Sequence, residues 1–223
     1  MPAPVPTPLF HITPITNLNR IALSGELYSK HELVLRGLNP ANISYDHIQA
    51  RRAARAVPLA PGGTLHDYVP FHFAPRSPML DAVNRGKVPN CLHRQQDIVH
   101  VVCQAQNVAA AGFPLVFTDF HAVLEWAHFF GDLNDLDQIN WPLFFEPPLV
   151  GGYCKYYFSD ETRPKYANRS ESRQAEFLVH RSVPIGQILR IGVYDANAQT
   201  RAAEQLAGTD WNPNIDVVRG WYF

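Results

Sequence analysis

The sequence predicts a loop-rich α+β protein, and three observations support that prediction. A chain of 223 residues with 46 % hydrophobic content can bury a substantial core. Its 19 prolines, about twice the average usage, interrupt the chain throughout, so long helices are not expected. Short segments rich in β-branched and aromatic residues alternate with short segments of helical period. We therefore expect one domain over residues 1–223, built from short strands and short helices.

Seven segments have the β-branched and aromatic character of strands. They are residues 9–12, 68–73, 98–103, 115–118, 176–179, 190–194 and 215–218. In the second of these, Pro70 lacks the backbone N–H that a central strand donates. We therefore expect residues 68–73 to lie at the edge of a sheet.

Helices are predicted where a capping residue precedes proline or where apolar residues recur with helical spacing. Thr13 followed by Pro14 predicts a helix that ends before Gly25, and Ser77 followed by Pro78 predicts another. Further helices are predicted over residues 45–56, 121–130 and 196–207.

Two long stretches have no helical or strand period. Residues 30–44 are expected to be irregular, and so are residues 143–173, which are rich in proline, glycine, tyrosine and charge. Compact domains seldom hold about 30 structureless residues without a functional reason. We therefore expect residues 143–173 to form a functional loop.

Charge and cysteine content narrow the possible classes of protein. The net charge of −1 and the pI near 6.8 argue against a surface coated in positive charge. The three cysteines show no C-x-x-C spacing, so they indicate neither a disulfide framework nor a zinc site and fit a reducing cytoplasm. The N-terminus lacks the pattern of a signal peptide, and the longest apolar run, 108–117, contains Pro114. No membrane span is expected.

Two local clusters of basic residues stand out against this near-neutral background. Arg51, Arg52 and Arg55 lie on one predicted helix, and four basic residues recur between 163 and 173. Each cluster fits either a groove for a polyanion or an ordinary solvated surface.

Several catalytic motifs are missing from the sequence. Gly62-Gly63 and Gly151-Gly152 lack the spacing of a Rossmann or P-loop phosphate site. There is no G-x-S-x-G elbow and no H-E-x-x-H pair. These absences leave the kinase, P-loop, serine hydrolase and zinc protease classes without support.

Glu176 is the most informative residue, because it places a carboxylate in an otherwise apolar strand with Phe177, Leu178 and Val179. A carboxylate that loses its hydration must be paired, neutralised or used in chemistry, and a raised pKa would suit it to accept a proton. The alternative is a half-buried glutamate whose carboxylate reaches solvent at the sheet edge. Glu176 is therefore a candidate general base.

Five separated segments, in this order, resemble a known family. They are Phe-His-Ile-Thr at 10–13, His-Ile-Gln-Ala-Arg-Arg at 47–52, the stretch 67–79 that ends in Pro-Arg-Ser-Pro-Met, Val-Phe-Thr-Asp at 116–119 with a histidine at 121, and Arg-Gln-Ala-Glu-Phe-Leu-Val at 173–179. Together they resemble the DarT family of DNA ADP-ribosyltransferase toxins, from about residue 9 to the C-terminus.

The resemblance implies a fold, a reaction and partners. The fold would be an ADP-ribosyltransferase fold, with two small, mostly antiparallel sheets packed across each other and flanked by helices. The activity would be sequence-dependent transfer of ADP-ribose from NAD to thymine N3 in single-stranded DNA, with NAD as a substrate and no metal. The partners would be single-stranded DNA and a macrodomain antitoxin of the DarG type, without a membrane. Transfer to guanine and a non-catalytic single-strand-binding module stay open as alternatives.

The resemblance also assigns catalytic roles. Glu176 would remove the weakly acidic proton of thymine N3 as the glycosidic bond of NAD breaks. Arg52, rather than its neighbour Arg51, matches the catalytic arginine of the family. Its guanidinium would stabilise charge on a thymine carbonyl oxygen or orient the NAD phosphates.

Candidate binding residues follow in the same way. The candidate NAD-binding residues are His11, Ile12, Thr13, His47, His72 and Met79. The candidate DNA-binding residues are Arg76, His121, Tyr157, Arg163 and Lys165. His11 and Thr13 resemble the pair that holds the adenosine-side ribose and the nicotinamide amide region of NAD. The alternative for them is a strand-end histidine followed by a helix cap.

Residues 143–173 would be the substrate-recognition loop, and their composition suits single-stranded nucleic acid. The loop offers stacking faces at Tyr153, Tyr156, Tyr157, Phe158 and Tyr166. It offers phosphate partners at Lys155, Arg163, Lys165 and Arg169.

Overall fold

The computed structural model describes all of residues 1–223 and is built around an eight-stranded sheet. The strands are β1 (Pro8–Pro14), β2 (Glu26–Tyr28), β3 (Tyr68–His72), β4 (Ile98–Gln104), β5 (Leu115–Thr118), β6 (Phe129–Phe130), β7 (Leu149–Val150), β8 (Tyr153–Cys154), β9 (Glu176–His180), β10 (Ser182–Pro184), β11 (Arg190–Val193) and β12 (Asn214–Val217). The helices are α1 (Leu18–Ser24), α2 (Lys30–Leu35), α3 (Asp46–Ala54), α4 (Pro78–Asn84), α5 (Ala105–Ala110), α6 (Pro142–Phe145), α7 (Arg169–Ser172) and α8 (Ala196–Leu206). All seven strands predicted from the sequence are present.

The large sheet consists of two four-stranded halves that meet at one residue pair. Its strand order is β12-β11-β4-β1-β3-β9-β5-β6, and β1 pairs with β3 only at Phe10 and His72. Neighbouring strands are antiparallel except for β11 and β12. The α+β class and the small, mostly antiparallel sheets are thus confirmed. Because β1 and β3 separate after a single pair, a cleft opens between the two halves.

Strand β3 lies inside the sheet, so the prediction that it forms an edge was wrong. It pairs along its length with β9, from Tyr68 opposite His180 to His72 opposite Glu176. The carbonyl of Pro70 faces β1, where it accepts a hydrogen bond from His11 Nδ1 at 2.8 Å. The amide and the carbonyl of one strand residue point to the same side, so the missing N–H also faces the cleft. Proline is tolerated there because no ladder bond is needed.

The sequence predicted that a helix capped by Thr13 would follow the first strand, but the structure begins that helix later. Thr13 is the sixth residue of β1 rather than a cap, and a 3-10 turn over Ile15–Asn17 comes before α1. Helix α1 ends where predicted, at Gly25, whose φ of 71° places it in the left-handed region that favours glycine. The predicted signals therefore located the end of the helix but not its beginning.

Two further predictions of secondary structure were wrong. Residues 121–130 form turns followed by β6, because Asp119 Oδ1 accepts a hydrogen bond from the backbone N–H of His128 at 2.9 Å and closes the segment into a loop. The stretch 30–44, predicted to be irregular, begins with α2. Ser29 caps that helix by accepting from Glu32 N at 3.2 Å. A side-chain bond across nine residues thus replaced the predicted helix in the first segment, and a local helix cap produced an unpredicted helix in the second.

The main hydrophobic core runs through both halves of the sheet. Six of the seven residues of β4 are buried, and Phe73 packs edge to face on Trp141 and Phe177 with ring centroids 5.3 and 6.3 Å apart. This packing joins the residues after β3 to β9 and to the loop before α6. Nowhere in the fold is there a helix with the length and hydrophobicity needed to span a bilayer.

Candidate active site

A cavity of about 740 Å³ occupies the cleft between β1 and β3. Its volume falls within the roughly 300–1,000 Å³ range of small-molecule and cofactor sites. It gathers nine of the thirteen candidate site residues, from five separate parts of the chain. They are His11, Ile12, Thr13, His47, Arg52, His72, Met79, His121 and Glu176.

The carboxylate of Glu176 lies at the wall of this cavity and is 1 % exposed. Arg52 Nη1 donates to both of its oxygens, at 2.7 and 3.0 Å, and the backbone N–H of Ala122 donates to Oε1 at 3.2 Å. Glu176 is the first residue of β9, and its own N–H donates to Thr118 Oγ1 on β5 at 3.2 Å. The carboxylate is thus buried, paired and fixed, and the alternative of a glutamate that reaches solvent is wrong.

The pKa of Glu176 is lowered, whereas the sequence led us to expect a raised value. Burial by itself raises the pKa, but the positive charge of Arg52, helped by His121 and His72, outweighs burial and holds the pKa below its usual range. The carboxylate is therefore ionised at neutral pH. It is ready to accept a proton but is a weak base while Arg52 stays bound to it.

The guanidinium of Arg52 still has donor capacity. Arg52 is 7 % exposed on the buried face of α3, and its Nη2 has no hydrogen-bond partner in the protein. A buried donor without a partner is costly unless a ligand satisfies it. Since Arg52 lines the cavity, this donor suits a phosphate oxygen or a carbonyl oxygen of a bound ligand.

His11 presents one ring nitrogen to the protein and leaves the other for a ligand. Its Nδ1 bonds the carbonyl of Pro70, and because a carbonyl only accepts, Nδ1 carries the proton. Burial lowers the pKa of His11 to about 4, so the ring is neutral at pH 7. Its Nε2 is therefore an acceptor, which suits a hydroxyl group such as that of a ribose.

His121 and Ala122 reach Glu176 from a loop between Asp119 and His128. His121 Nε2 lies 3.6 Å from Glu176 Oε1, and burial lowers the pKa of His121 to about 4. At neutral pH this imidazole is uncharged. His121 was predicted to contact DNA; in the structure it lies beside the carboxylate at the wall of the cavity.

Two further arginines, Arg51 in α3 and Arg55 directly after it, hold that loop in place. Arg51 Nη2 donates to the carbonyl of Val123 at 3.2 Å, and Arg55 Nη2 donates to the carbonyls of Leu124 and Glu125 at 3.2 and 3.4 Å. Neither guanidinium contacts Glu176. The basic cluster at the C-terminal end of α3 thus divides into one arginine at the carboxylate and two that support the adjoining loop.

Arg173 supports the stretch 143–173, and no sequence signal separated it from the other basic residues there. It is only 1 % exposed and stacks on Phe144, with its guanidinium carbon 5.0 Å from the ring centroid. Its Nη1 donates to the carbonyls of Leu143, Cys154 and Tyr156 at 3.1–3.2 Å. Arg173 therefore ties both ends of the segment 143–156 to the residues just before Glu176.

Four of the predicted DNA-binding residues lie outside the cavity. Arg76 is buried and stacks on Phe223 at 4.5 Å, and Tyr157 is buried with its ring 5.0 Å from that of Phe223. Arg163 and Lys165 are exposed and pair with Asp160 and Glu146 respectively.

Only part of the aromatic surface predicted for the loop is available for stacking. Tyr153 and Tyr157 are buried, whereas Tyr156 and Phe158 are 51 % and 56 % exposed. Arg169, predicted as a phosphate partner, is buried under the ring of Tyr166 at 3.8 Å. A base could therefore stack on Tyr156 or Phe158 without any rearrangement.

Asn17 is a cavity residue that the sequence did not reveal. It is buried and bonds both Thr13 and Ala41.

No group of three or more His, Cys, Asp or Glu side chains converges as a metal ion would require.

Comparison with known proteins identifies close relatives of this arrangement. A family model described as DarT, ssDNA thymidine ADP-ribosyltransferase, matches residues 10–223. A DNA ADP-ribosyl transferase of Thermus sp. (strain 2.9) is 37 % identical over 222 residues, which are 99 % of this chain and 98 % of the relative. One from Escherichia coli O127:H6 is 34 % identical over 83 % of this chain and 80 % of its own length.

Solved structures agree with these sequence matches. Thermus sp. 2.9 DarT in complex with ADP-ribosylated ssDNA matches with a TM-score of 0.85 and 36 % identity, covering 100 % of this chain and 99 % of that one. Thermus sp. 2.9 DarT in complex with NAD⁺ matches with a TM-score of 0.80 and 34 % identity, covering all of both chains.

The fold and its matches, together with the buried arginine–glutamate pair beside a cavity of about 740 Å³, define an NAD-dependent ADP-ribosyltransferase. Within that class, the chain belongs to the DarT family of single-stranded DNA thymidine ADP-ribosyltransferases.

Proposed function

We propose that the protein is a toxin that transfers ADP-ribose from NAD to N3 of thymine in single-stranded DNA, within a preferred sequence context. The single observation that carries the proposal is the buried Arg52–Glu176 pair at the wall of the cavity, in a chain of the DarT family. A DNA-binding module without catalysis would need neither a buried carboxylate nor an arginine held against it.

The proposed reaction uses Glu176 as the proton acceptor. The bond between the nicotinamide nitrogen and C1″ of the ribose breaks, and nicotinamide leaves with the electron pair. Thymine N3 forms the new bond to C1″, and its proton passes to the carboxylate of Glu176. The lowered pKa keeps this carboxylate ionised, and any shift of Arg52 away from it would strengthen the base as the reaction proceeds.

Arg52 has a second role in this proposal. Its unpartnered Nη2 would donate to the thymine carbonyl next to N3 or to an NAD phosphate oxygen. A guanidinium can bind the carboxylate with one nitrogen and the substrate with another, which a lysine cannot do in the same geometry.

The candidate NAD-binding residues retain their proposed role because they share one cavity. His11 would accept from a ribose hydroxyl through Nε2, and Ile12 and Thr13 would line the same end of the cavity on β1. His47, His72 and Met79 would contribute the remaining walls. His72 lies directly across from Glu176 in the sheet, which supports a role for it near the reacting ribose.

The stretch 143–173 would be the DNA-recognition loop of the single domain. Its exposed Tyr156 and Phe158 would stack on bases, and the exposed Arg163 and Lys165 would meet phosphates. Arg76 and Tyr157 would act indirectly, by supporting the base of this loop against Phe223.

Two further proposals rest on the family rather than on a contact within the chain. A macrodomain antitoxin of the DarG type would remove the ADP-ribose mark and neutralise the toxin. The protein would act in the cytoplasm, where its DNA substrate is found and where its three free cysteines would stay reduced.

The proposal is tested by incubating the protein with NAD and single-stranded oligonucleotides and measuring the mass of the DNA. We expect one ADP-ribose to be added to oligonucleotides that contain thymine. Glu176→Gln should abolish the addition and leave DNA binding within twofold, whereas Glu125→Gln, at an exposed loop position, should leave activity unchanged. Modification of thymine-free, guanine-containing oligonucleotides would redirect the proposal to guanine, and full activity of Glu176→Gln would refute the mechanism.

A further inference from the structure

Asn17 sits at the N-terminal boundary of α1, but its side chain does not cap the helix. Asparagine in this position commonly accepts a hydrogen bond from a backbone N–H in the first turn of the helix. Here no such bond forms, and the backbone of Asn17 is itself helical, with φ −84° and ψ −14°. The amide is therefore free for other partners. It is 8 % exposed and lines the cavity.

Both donor hydrogens and the acceptor oxygen of this amide take part in bonds that join two walls of the cavity. Nδ2 donates to Thr13 Oγ1 and to the carbonyl of Ala41, both at 3.0 Å, and Oδ1 accepts from Ala41 N at 2.9 Å. A primary amide has two donor hydrogens and one acceptor oxygen, so each is used. Thr13 belongs to β1, and Ala41 belongs to the chain between α2 and α3. A single side chain thus connects β1, at the floor of the cavity, to residues 39–43, which we call the covering segment.

The covering segment has few other polar ties to the fold. None of residues 39–43 takes part in a backbone–backbone hydrogen bond. The side-chain bonds of Asn42 go only to Ser44, within the same turn, and Ile43 is the one buried apolar residue of the segment. Residues 40–43 all line the cavity. The position of this wall therefore depends on Ile43 and on the amide of Asn17.

The same amide sets the direction of the Thr13 hydroxyl. Because Thr13 Oγ1 accepts from Asn17, its own hydrogen is left to donate, and no protein acceptor is bonded to it. Thr13 lines the cavity. Its hydroxyl is thus held as a hydrogen-bond donor for a ligand.

We propose that Asn17 is a positioning residue for NAD. It holds residues 39–43 against the cavity and presents the Thr13 hydroxyl as a donor, so that the dinucleotide meets a preformed site. The inference rests on the proposed function only in taking NAD as the ligand. When the wall is not anchored, only the fraction of molecules with a competent cavity binds, and the apparent affinity falls by that fraction.

Calorimetric titration of the full chain with NAD, in the absence of DNA, tests this inference. Asn17→Ala should weaken NAD binding about tenfold, as expected for the loss of anchoring hydrogen bonds, and Asn17→Ser should weaken it to a similar extent. The matched control is Asn19→Ala. Asn19 is another asparagine in the same helix region, but its Nδ2 donates to the carbonyl of Gln205, away from the cavity, at 3.0 Å. The Asn19→Ala substitution should change the Kd for NAD by less than twofold.

Two further measurements distinguish a positioning role of Asn17 from a general effect on the stability of the protein. In the oligonucleotide assay, Asn17→Ala should raise the KM for NAD about tenfold and leave kcat and the KM for DNA within twofold. Hydrogen exchange of the backbone amide of Ala41, which donates to Asn17 Oδ1, should accelerate in both Asn17 variants and stay unchanged in Asn19→Ala. An unchanged Kd for both Asn17 variants, or an equal loss of affinity in Asn19→Ala, would overturn the inference.

The outcome also distinguishes this inference from the proposed function. If the wild-type protein binds NAD but leaves DNA unmodified, the proposed function fails while the Kd comparison still decides the role of Asn17. If the wild-type protein does not bind NAD, both are overturned.

Discussion

Arg52 and Glu176 are 124 residues apart in the sequence, yet one nitrogen of the guanidinium donates to both oxygens of the carboxylate, at 2.7 and 3.0 Å. The pair joins the buried face of α3 to the first residue of β9. Both side chains are more than nine-tenths buried. Removing one partner of such a pair typically costs about 3–5 kcal/mol, because the other charge is left buried without compensation.

Arg52→Lys should separate the chemical role of this arginine from its charge. Lysine keeps a positive charge near Glu176 but cannot bind carboxylate and substrate with two nitrogens at once. We expect kcat/KM to fall at least about 100-fold, in line with the loss of a transition-state donor, while the melting temperature falls by only a few degrees. Mass spectrometry of the oligonucleotide and thermal unfolding measure the two effects. In the control Arg85→Lys, at an exposed helix-end residue, both should be unchanged.

Stability should decrease as the pH falls from about 6.5 towards 4. Burial lowers the pKa values of His11, His100 and His121 to about 4, below the ordinary value of 6.5. Between these values the unfolded chain binds more protons than the folded one, so acid favours unfolding. Each histidine should contribute up to about 1 kcal/mol per pH unit. Denaturant unfolding at pH 7, 6 and 5 measures this slope.

His100→Gln provides the matched test of that pH dependence. His100 is fully buried, lies outside the cavity and bonds the carbonyl of Pro75 through Nε2 at 2.9 Å. Glutamine can donate to the same carbonyl but does not titrate. The variant should show a slope that is shallower by about 1 kcal/mol per pH unit. An unchanged slope would mean that this histidine is not held neutral in the fold.

Arg173→Met should loosen the stretch 143–156 and destabilise the protein. Methionine keeps an apolar stem against Phe144, but three carbonyls lose their donor. We expect a loss of roughly 2–4 kcal/mol, which corresponds to about 5–15 °C in melting temperature for a domain of this size. Limited proteolysis should cut within 143–156 faster than in the wild-type protein. Arg163→Met removes only an exposed pair with Asp160 and should stay within about 0.5 kcal/mol of the wild type.

The double variant Arg51→Ala with Arg55→Ala should slow the reaction without weakening NAD binding. These arginines hold the carbonyls of residues 123–125, and the neighbouring Ala122 amide holds the carboxylate of Glu176. We expect kcat to fall about tenfold, equivalent to one weakened hydrogen bond in the transition state, and the Kd for NAD to stay within twofold. The exposed Arg36→Ala serves as the control. A large change in the Kd for NAD would show that the loop supports the cofactor site instead.

Much of the fold and the principal site residues could be predicted from the sequence. The seven strands have local signals, because β-branched and aromatic residues suit the pleated surface of a sheet wherever it forms. The cap at Ser77 and the end of α1 at Gly25 are also local, since each depends on a few neighbouring backbone groups. Glu176 stood out for the same reason, as a charge inside an apolar strand.

Other features depend on neighbours that are distant in the sequence. Pro70 indicated an edge strand, but the sheet places β1 beside it without a ladder bond, so an internal strand tolerates the proline. Asp119 and His128 close the segment 121–128 into a loop that its periodicity did not indicate. Tyr157 and Arg76 look like surface residues in the sequence, and packing against Phe223 buries them.

The sequence by itself determined the class of fold, the family to which the chain belongs and the identity of the acid–base candidate, because each of these is encoded in short runs of residue types. The tertiary structure alone decided the protonation state of that candidate. Burial raises the pKa of Glu176 and the nearby Arg52 lowers it, and the balance depends on a distance between α3 and β9 that no local pattern contains. For the same reason, only the fold could show that the amide of Asn17 makes no capping bond to α1 and instead connects two walls of the cavity.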